Sequence, residues 1–379
     1  MPELNAMITT APAATEVGLV DKESFTTCNM RLRSGAVLPE VTIAYETYGR
    51  LAPDGCNAIL ITHGYTNNHH AAGRYDDADP HPGWWDGVIG PGKAIDTNRF
   101  FVVSSNMLGS SYGSTNPSSS NPATGKPYGP DFPEISVEDI VTAQKSLIDA
   151  LGIKHLVAVA GRSYGGFQVF AWGYLYPELV ERLVVVSSGP RSSQKPYADR
   201  ELLARFSAAP NWNGGWYYDD RGGIVSTMIA LRVATLKRYG IEAKLAKEYP
   251  DSAVREAAIR DLATAWGRNF DANGMLALLR AQIRFNAEPH FDRIRAKVLY
   301  VLVSSDELYP PTLAPGVMAK LREAGVDATY FMLDSPYGHD ATTPDAAKWA
   351  PTLKEFLANA VPMNDGVSTC NIATPDCGT

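Results

Sequence analysis

The chain has 379 residues, 45% hydrophobic and 20% charged, with a formal net charge of −7 at pH 7. That size and apolar content suit one large domain, or a core with a subdomain, around a sizeable buried interior. The mild acidity and mixed signs exclude the basic face that phosphate binding needs, so no nucleic-acid partner is expected.

In chain order, 37–50 alternates and is rich in β-branched residues, and reads as one strand of an N-terminal hairpin or meander. A short apolar run, 58–62, ends in His63-Gly64, and a second covers 100–104. Residues 105–133, rich in Ser, Gly, Pro and Asn, lack any period and predict a long functional loop. A helix is expected over 136–151, opened by the Ser-x-x-Asp start Ser136 to Asp139. Apolar runs at 156–160 and 183–186 bracket a helix over 166–175, and runs at 298–303 and 328–333 precede helices over 315–324 and 346–360. Runs of this kind, without alternation, are what a sheet buried on both faces requires, and so predict a mostly parallel, doubly wound α/β sheet.

The alternation breaks over 192–293, where helical stretches occur without a convincing buried strand. This predicts a core built from 1–191 and 294–363, a helical lid over 192–293 and a polar C-terminal tail over 364–379. No run approaches about 20 continuous apolar residues, so no membrane-spanning helix is expected. Residues 1–20 lack a basic start followed by an apolar run and do not read as a signal peptide. Four scattered cysteines argue for reduced thiols in a cytoplasmic enzyme, although Cys370 and Cys377 could pair in an oxidising compartment. The seven histidines show no metal-binding spacing, so neither metal nor cofactor is expected, and the adjacent His69-His70 carries no role.

Gly-x-Ser-x-Gly occurs twice, as Gly109-Ser110-Ser111-Tyr112-Gly113 and Gly161-Arg162-Ser163-Tyr164-Gly165. A serine nucleophile on a sharp turn needs a strand before it and a helix after it, so that the hydroxyl is exposed and the helix N-terminus faces the reacting oxygen. Both copies follow an apolar run, but only Ser163 precedes a helix-compatible segment; Ser111 runs into Ser114-Thr115-Asn116-Pro117. Ser163 is therefore the expected nucleophile and Ser111 a loop residue. The serine needs a base, and the base an acid to hold it, in the chain order Ser, acid, His. His339 follows the run ending at Leu333 and Asp306 follows the run ending at Val303; His290 reads as a surface histidine, and Glu307 is the fallback acid. The oxyanion donors expected are the backbone amides of Tyr164, just after the serine, and Tyr65, in the loop that Gly64 opens.

Several blocks then carry a resemblance: Gly83-Trp84-Trp85-Asp86-Gly87, Tyr112-Gly113-Ser114-Thr115, Asn211-Trp212-Asn213-Gly214-Gly215 and Asp334-Ser335-Pro336-Tyr337-Gly338-His339-Asp340. Over about 37–357 the chain resembles the homoserine O-acetyltransferase family of the α/β-hydrolase superfamily. The resemblance implies an α/β-hydrolase fold with a helical lid, a homodimer formed through that lid, and ping-pong acyl transfer through an acyl-serine. It also implies that Asp340 faces the acceptor amine. In that family a lid-helix arginine holds the substrate carboxylate, with a tyrosine two turns on; the alignment places these positions on Thr227 and Ala234, and a shift of one turn brings in Arg232 instead. Arg162 and Tyr164 also stand where the transferases have a small residue and methionine. With no clamp at Thr227 and a small apolar pocket shaped by Tyr164 and Trp85, the expectation is a serine carboxylesterase hydrolysing short alkyl acetates such as ethyl acetate. The alternative is an acetyl-CoA-dependent O-acetyltransferase for homoserine or another small alcohol.

Overall fold

A computed structural model describes residues 16–79 and 81–358. β1 (Glu23–Arg31) and β2 (Val37–Tyr48) form an antiparallel hairpin. β3 (Ala58–Thr62) follows, then β4 (Ile89–Gly90) and β5 (Ile95–Asp96), which pair with each other apart from the main sheet. Next come β6 (Phe101–Ser105), α1 (Val137–Ala150), β7 (Leu156–Arg162), α2 (Tyr164–Leu175) and β8 (Arg182–Val186). Five helices intervene: α3 (Ala198–Ser207), α4 (Gly222–Arg238), α5 (Ile241–Leu245), α6 (Ser252–Asn269) and α7 (Ala272–Arg284). The sheet resumes with β9 (Lys297–Val303), α8 (Ala314–Glu323), β10 (Ala328–Leu333) and α9 (Ala346–Ala358).

The eight-stranded sheet runs β1-β2-β6-β3-β7-β8-β9-β10. β1–β2 and β2–β6 pair antiparallel and the remaining neighbours pair parallel. The apolar runs in β3, β7 and β8 are buried throughout because helices cover both faces. Successive residues of β3 feed opposite faces: Ala58 and Leu60 join one core cluster, Ile59 and Ile61 the other. In-register pairing aligns Thr62 with Gly161, Arg162 with Val186 and Val303 with Leu333. The loops that leave these ends therefore gather at one edge of the sheet, where ligands of open α/β sheets bind.

α1 begins at the expected cap: Ser136 Oγ accepts from the Asp139 amide at 3.1 Å, and Asp139 Oδ2 accepts from the Ser136 amide at 2.8 Å. β1 had no apolar run to announce it, since as an edge strand most of its residues are exposed or half-buried. In the helical insertion, α4, α5 and α6 share a small core of Leu236, Ile241, Leu245, Ile259 and Ala263. α7 instead contributes Leu276, Leu278 and Leu279 to the main core, tying the insertion to the sheet. Among the described residues no helix is long and apolar enough to cross a membrane. The tail 364–379, with Cys370 and Cys377, lies outside the described residues.

Candidate active site

β7 ends at Arg162, and the chain turns through Ser163 into α2. Ser163 has φ 55° and ψ −122°, a left-handed backbone that costs a non-glycine residue about 1–3 kcal/mol. The turn is held by hydrogen bonds from the Ser163 amide to Val186 O (2.9 Å) and from Ser188 Oγ to Ser163 O (2.7 Å). The flanking glycines are a packing requirement: a Cβ at Gly161 would meet Thr62 Oγ1 at 2.1 Å, and one at Gly165 would meet Thr62 O at 2.4 Å. Those contacts let β3 and α2 approach closely enough to raise Ser163 above the sheet edge. A Cβ on Gly64 would lie 3.6 Å from Ser163 Cβ, so the loop after β3 runs beside Ser163. The Tyr65 and Tyr164 rings stack with centroids 5.9 Å apart, and their hydroxyls donate to Met275 O and Leu278 O of α7.

Asp306 and His339 meet as the sequence order required. His339 Nδ1 lies 2.8 Å from Asp306 Oδ2, and both residues are buried. Asp306 Oδ1 accepts from the Leu308 amide at 2.8 Å and the Tyr309 amide at 3.2 Å, which fixes the carboxylate. Glu307 is exposed. His339 rides on a short 3-10 turn, Gly338–Asp340, anchored where the Gly338 amide donates to Ser305 Oγ at 3.0 Å. Its ring lies between Tyr239 and Tyr309, at centroid distances of 4.9 and 5.9 Å.

Ser163 and His339 line one cavity of about 710 Å³, together with Gly64, Tyr65, Arg162, Arg232, Tyr239 and Asp340. α4 reaches this cavity because its end docks on the histidine loop: a Cβ at Gly240 would meet Tyr337 O at 2.9 Å. Arg232 and Tyr239 stand seven residues apart, two helical turns, and so share the face turned to the cavity. Arg232 Nη1 donates to Thr66 Oγ1 at 2.8 Å, its guanidinium sits 5.1 Å from the Trp266 ring centre, and its buried Nε has no partner. Burial pushes its guanidinium down from the ordinary arginine value, and the same cause pushes the Tyr239 phenol up. Burial alone would raise the Asp340 carboxyl, but Arg162, with His339, Lys244 and Arg232 contributing, holds it below the usual carboxylate range.

Two expected substrate contacts are corrected. Thr227 is half-buried on α4 and absent from the cavity wall, and Ala234 is exposed; the residues that reach the cavity are Arg232 and Tyr239, five positions further along the same helix. Trp85 is buried against Trp349, its Nε1 donating to Thr342 Oγ1, and its neighbour Trp84 lines the cavity instead.

The second Gly-x-Ser-x-Gly is structural. Ser111 is buried and its Oγ accepts from the Asp271 amide at 2.9 Å, tying the long loop to the start of α7. The histidine pair does more than its sequence suggests. Glu46, fully buried on β2, accepts from Tyr48 Oη at 2.7 Å and Tyr75 Oη at 2.5 Å and faces His70 Nδ1 at 3.1 Å. His70 lines the cavity, while burial lowers the neighbouring His69 to about 4. His63 is likewise lowered to about 4 by burial, and braces the loop after β3 through Asn106 at 2.8 Å.

A family model described as the alpha/beta hydrolase fold matches residues 57–342. The homoserine O-acetyltransferase of Moorella thermoacetica is 37% identical over 354 residues, covering 88% of this chain and 94% of that protein. The crystal structure of a homoserine O-acetyltransferase from Bacillus anthracis superposes with a TM-score of 0.81 at 29% identity, over 89% of this chain and 98% of that one. Esterase E22 superposes with a TM-score of 0.80 at 31% identity, over 89% of this chain and all of that one. The expectation of a short-chain acetate esterase is overturned. It rested on an empty clamp at Thr227 and Ala234, whereas the curated relatives matched over most of the chain are named as homoserine acyltransferases, and α4 presents Arg232 and Tyr239 to the cavity.

Proposed function

The chain belongs to the homoserine O-acetyltransferase family of the α/β-hydrolase fold, and from that premise we propose that it moves an acetyl group from acetyl-CoA to the side-chain hydroxyl of homoserine. The observation that carries the reading is the placement of Arg232 and Tyr239 on the wall of the cavity that holds Ser163 and His339. A guanidinium with a buried, unpartnered Nε is a seat for a carboxylate, and charge-assisted hydrogen bonds of that kind are the strong ones.

In the proposed reaction His339 takes the Ser163 proton, and Oγ attacks the thioester carbonyl. The Tyr65 and Tyr164 amides hold the oxyanion, and Asp306 stabilises the imidazolium. The C–S bond breaks and His339 protonates the departing thiolate, leaving acetyl-Ser163. Homoserine enters with its carboxylate on Arg232. His339 accepts the proton of its hydroxyl, the oxygen attacks the acetyl carbonyl, and Ser163 leaves with that proton. Transfer outruns hydrolysis because an oriented hydroxyl acts at a very high effective concentration, up to about 10⁵–10⁸ M in well-aligned cases. The test is CoA thiol release from acetyl-CoA with and without homoserine, alongside hydrolysis of ethyl acetate. Homoserine-dependent release with formation of O-acetylhomoserine supports the reading; thiol release indifferent to homoserine, with fast ethyl acetate turnover, contradicts it.

A further inference from the structure

Arg162 immediately precedes the nucleophile, and its side chain lies in the wall of the reaction cavity. Its Nη2 is 2.9 Å from Asp340 Oδ1, with the two side chains only 13% and 17% exposed. The guanidinium also lies 5.4 Å from the Trp84 ring centre, and its Nη1 is buried without a hydrogen-bond partner. Arg232, held by Thr66, faces the same cavity, as does Lys244. Asp86 also lines it, but is already paired with Lys93 at 2.9 Å.

A zwitterionic acceptor needs one available cation for its carboxylate and one available anion for its ammonium. Arg232 meets the first need. Asp340 meets the second only partly, because its charge is shared with Arg162, and an ammonium seated on it would also stand close to that guanidinium and be repelled.

We propose that Arg162 is the residue that sets acceptor selectivity: by pairing with Asp340 it removes the demand for an α-ammonium, so that hydroxy acids recognised by their carboxylate alone are also acylated. The catalytic half of this inference rests on the transferase reading; the binding half does not. The transfer itself is unchanged, the hydroxyl proton passing through His339 to Ser163 as the new ester bond forms and the acetyl-serine bond breaks.

4-Hydroxybutyrate is homoserine without its amine and serves as the probe. Two ratios are measured on the full chain with Arg162 and in Arg162→Lys and Arg162→Met: kcat/KM for homoserine over 4-hydroxybutyrate with acetyl-CoA, and the matching ratio of affinities in a Ser163→Ala background by calorimetry. With arginine or lysine the two acceptors should differ by less than about tenfold; Arg162→Met should raise the preference for homoserine by about tenfold or more, through KM. A general loss of folded protein lowers both acceptors together and leaves the ratios where they were, and the lysine variant reports on charge without loss of volume. A preference for homoserine above about a hundredfold with Arg162 in place, ratios that do not respond to Arg162→Met, or no binding of either compound overturns the proposal. If the affinity ratio responds but neither acceptor yields an ester, the transferase reading falls and the selectivity role stands. If homoserine is acetylated but the ratios do not respond, the reverse holds.

Discussion

The two Gly-x-Ser-x-Gly segments offer a control inside one molecule. At 161–165 the serine sits between β7 and α2 with φ 55°, flanked by glycines whose missing Cβ atoms let Thr62 pack against them, and it faces the 710 Å³ cavity. At 109–113 the serine sits in a long loop, buried, its hydroxyl already engaged by the Asp271 amide. The pentapeptide is the same pattern in both and each comes after a strand of the sheet; what differs is that at 163 the turn follows the strand end directly and a helix leaves it. A nucleophile needs its oxygen unspent and aimed into a cavity, and only the strand–turn–helix context provides both.

The largest test of that comparison is the pair Ser163→Ala and Ser111→Ala. The first should remove acyl transfer by on the order of 10⁴-fold or more, since members of such a triad act as one unit. The second should keep most of kcat/KM. Steady-state thiol release from acetyl-CoA measures both, and substantial activity without the Ser163 hydroxyl would reverse the assignment.

Asp306→Asn and Glu307→Gln form the next pair. The asparagine amide would hold His339 in the wrong tautomer, with an expected loss of about 10⁴-fold in kcat while the far-ultraviolet circular dichroism stays unchanged. Glu307, exposed beside it, should matter by less than about threefold.

On α4, Arg232→Met should cost roughly ten- to a hundredfold in kcat/KM for homoserine, expressed mainly in KM, because it removes a charge-assisted contact. Thr227→Val, one face away, should leave KM within about twofold; equal effects of the two would mean that α4 meets the cavity differently.

The smallest effect is on stability. Ser111→Ala leaves the Asp271 amide without its acceptor and should lower the unfolding free energy by about 1–3 kcal/mol, read from the urea midpoint. A change in activity larger than the change in stability would place that loop nearer the chemistry than the structure does.

The sequence was most legible where function hangs on strand ends. Ser163 and Asp306 each follow a buried apolar run and His339 follows the half-buried run of the edge strand β10, and parallel pairing in register brings those ends to one edge. It was least legible on α4, where a helical period allows several residues to face inward and nothing local fixes the helix's rotation. The docking of Gly240 against Tyr337, almost a hundred residues further along the chain, decides that Arg232 and Tyr239 reach the cavity that Ser163 lines while Thr227 does not. Trp84 and Trp85 are exchanged for the same reason, since adjacent aromatic residues cannot be assigned to cavity or core without their neighbours. Glu46 and His70 gave no signal at all: a carboxylate within an alternating strand and a loop histidine become a buried pair only when the loop folds over β2.

The central claim, that Ser163 carries an acetyl group and hands it to homoserine, is tested most directly by a single-turnover chase. The enzyme is mixed with a limiting amount of acetyl-CoA, quenched, and examined by peptide mass spectrometry for an acetyl group on Ser163; a parallel sample receives homoserine before the quench. The account predicts acetyl-Ser163 in the first sample, and in the second its rapid loss with an equal yield of O-acetylhomoserine. An acetyl group that leaves at the same rate with and without homoserine, yielding only acetate, would contradict it.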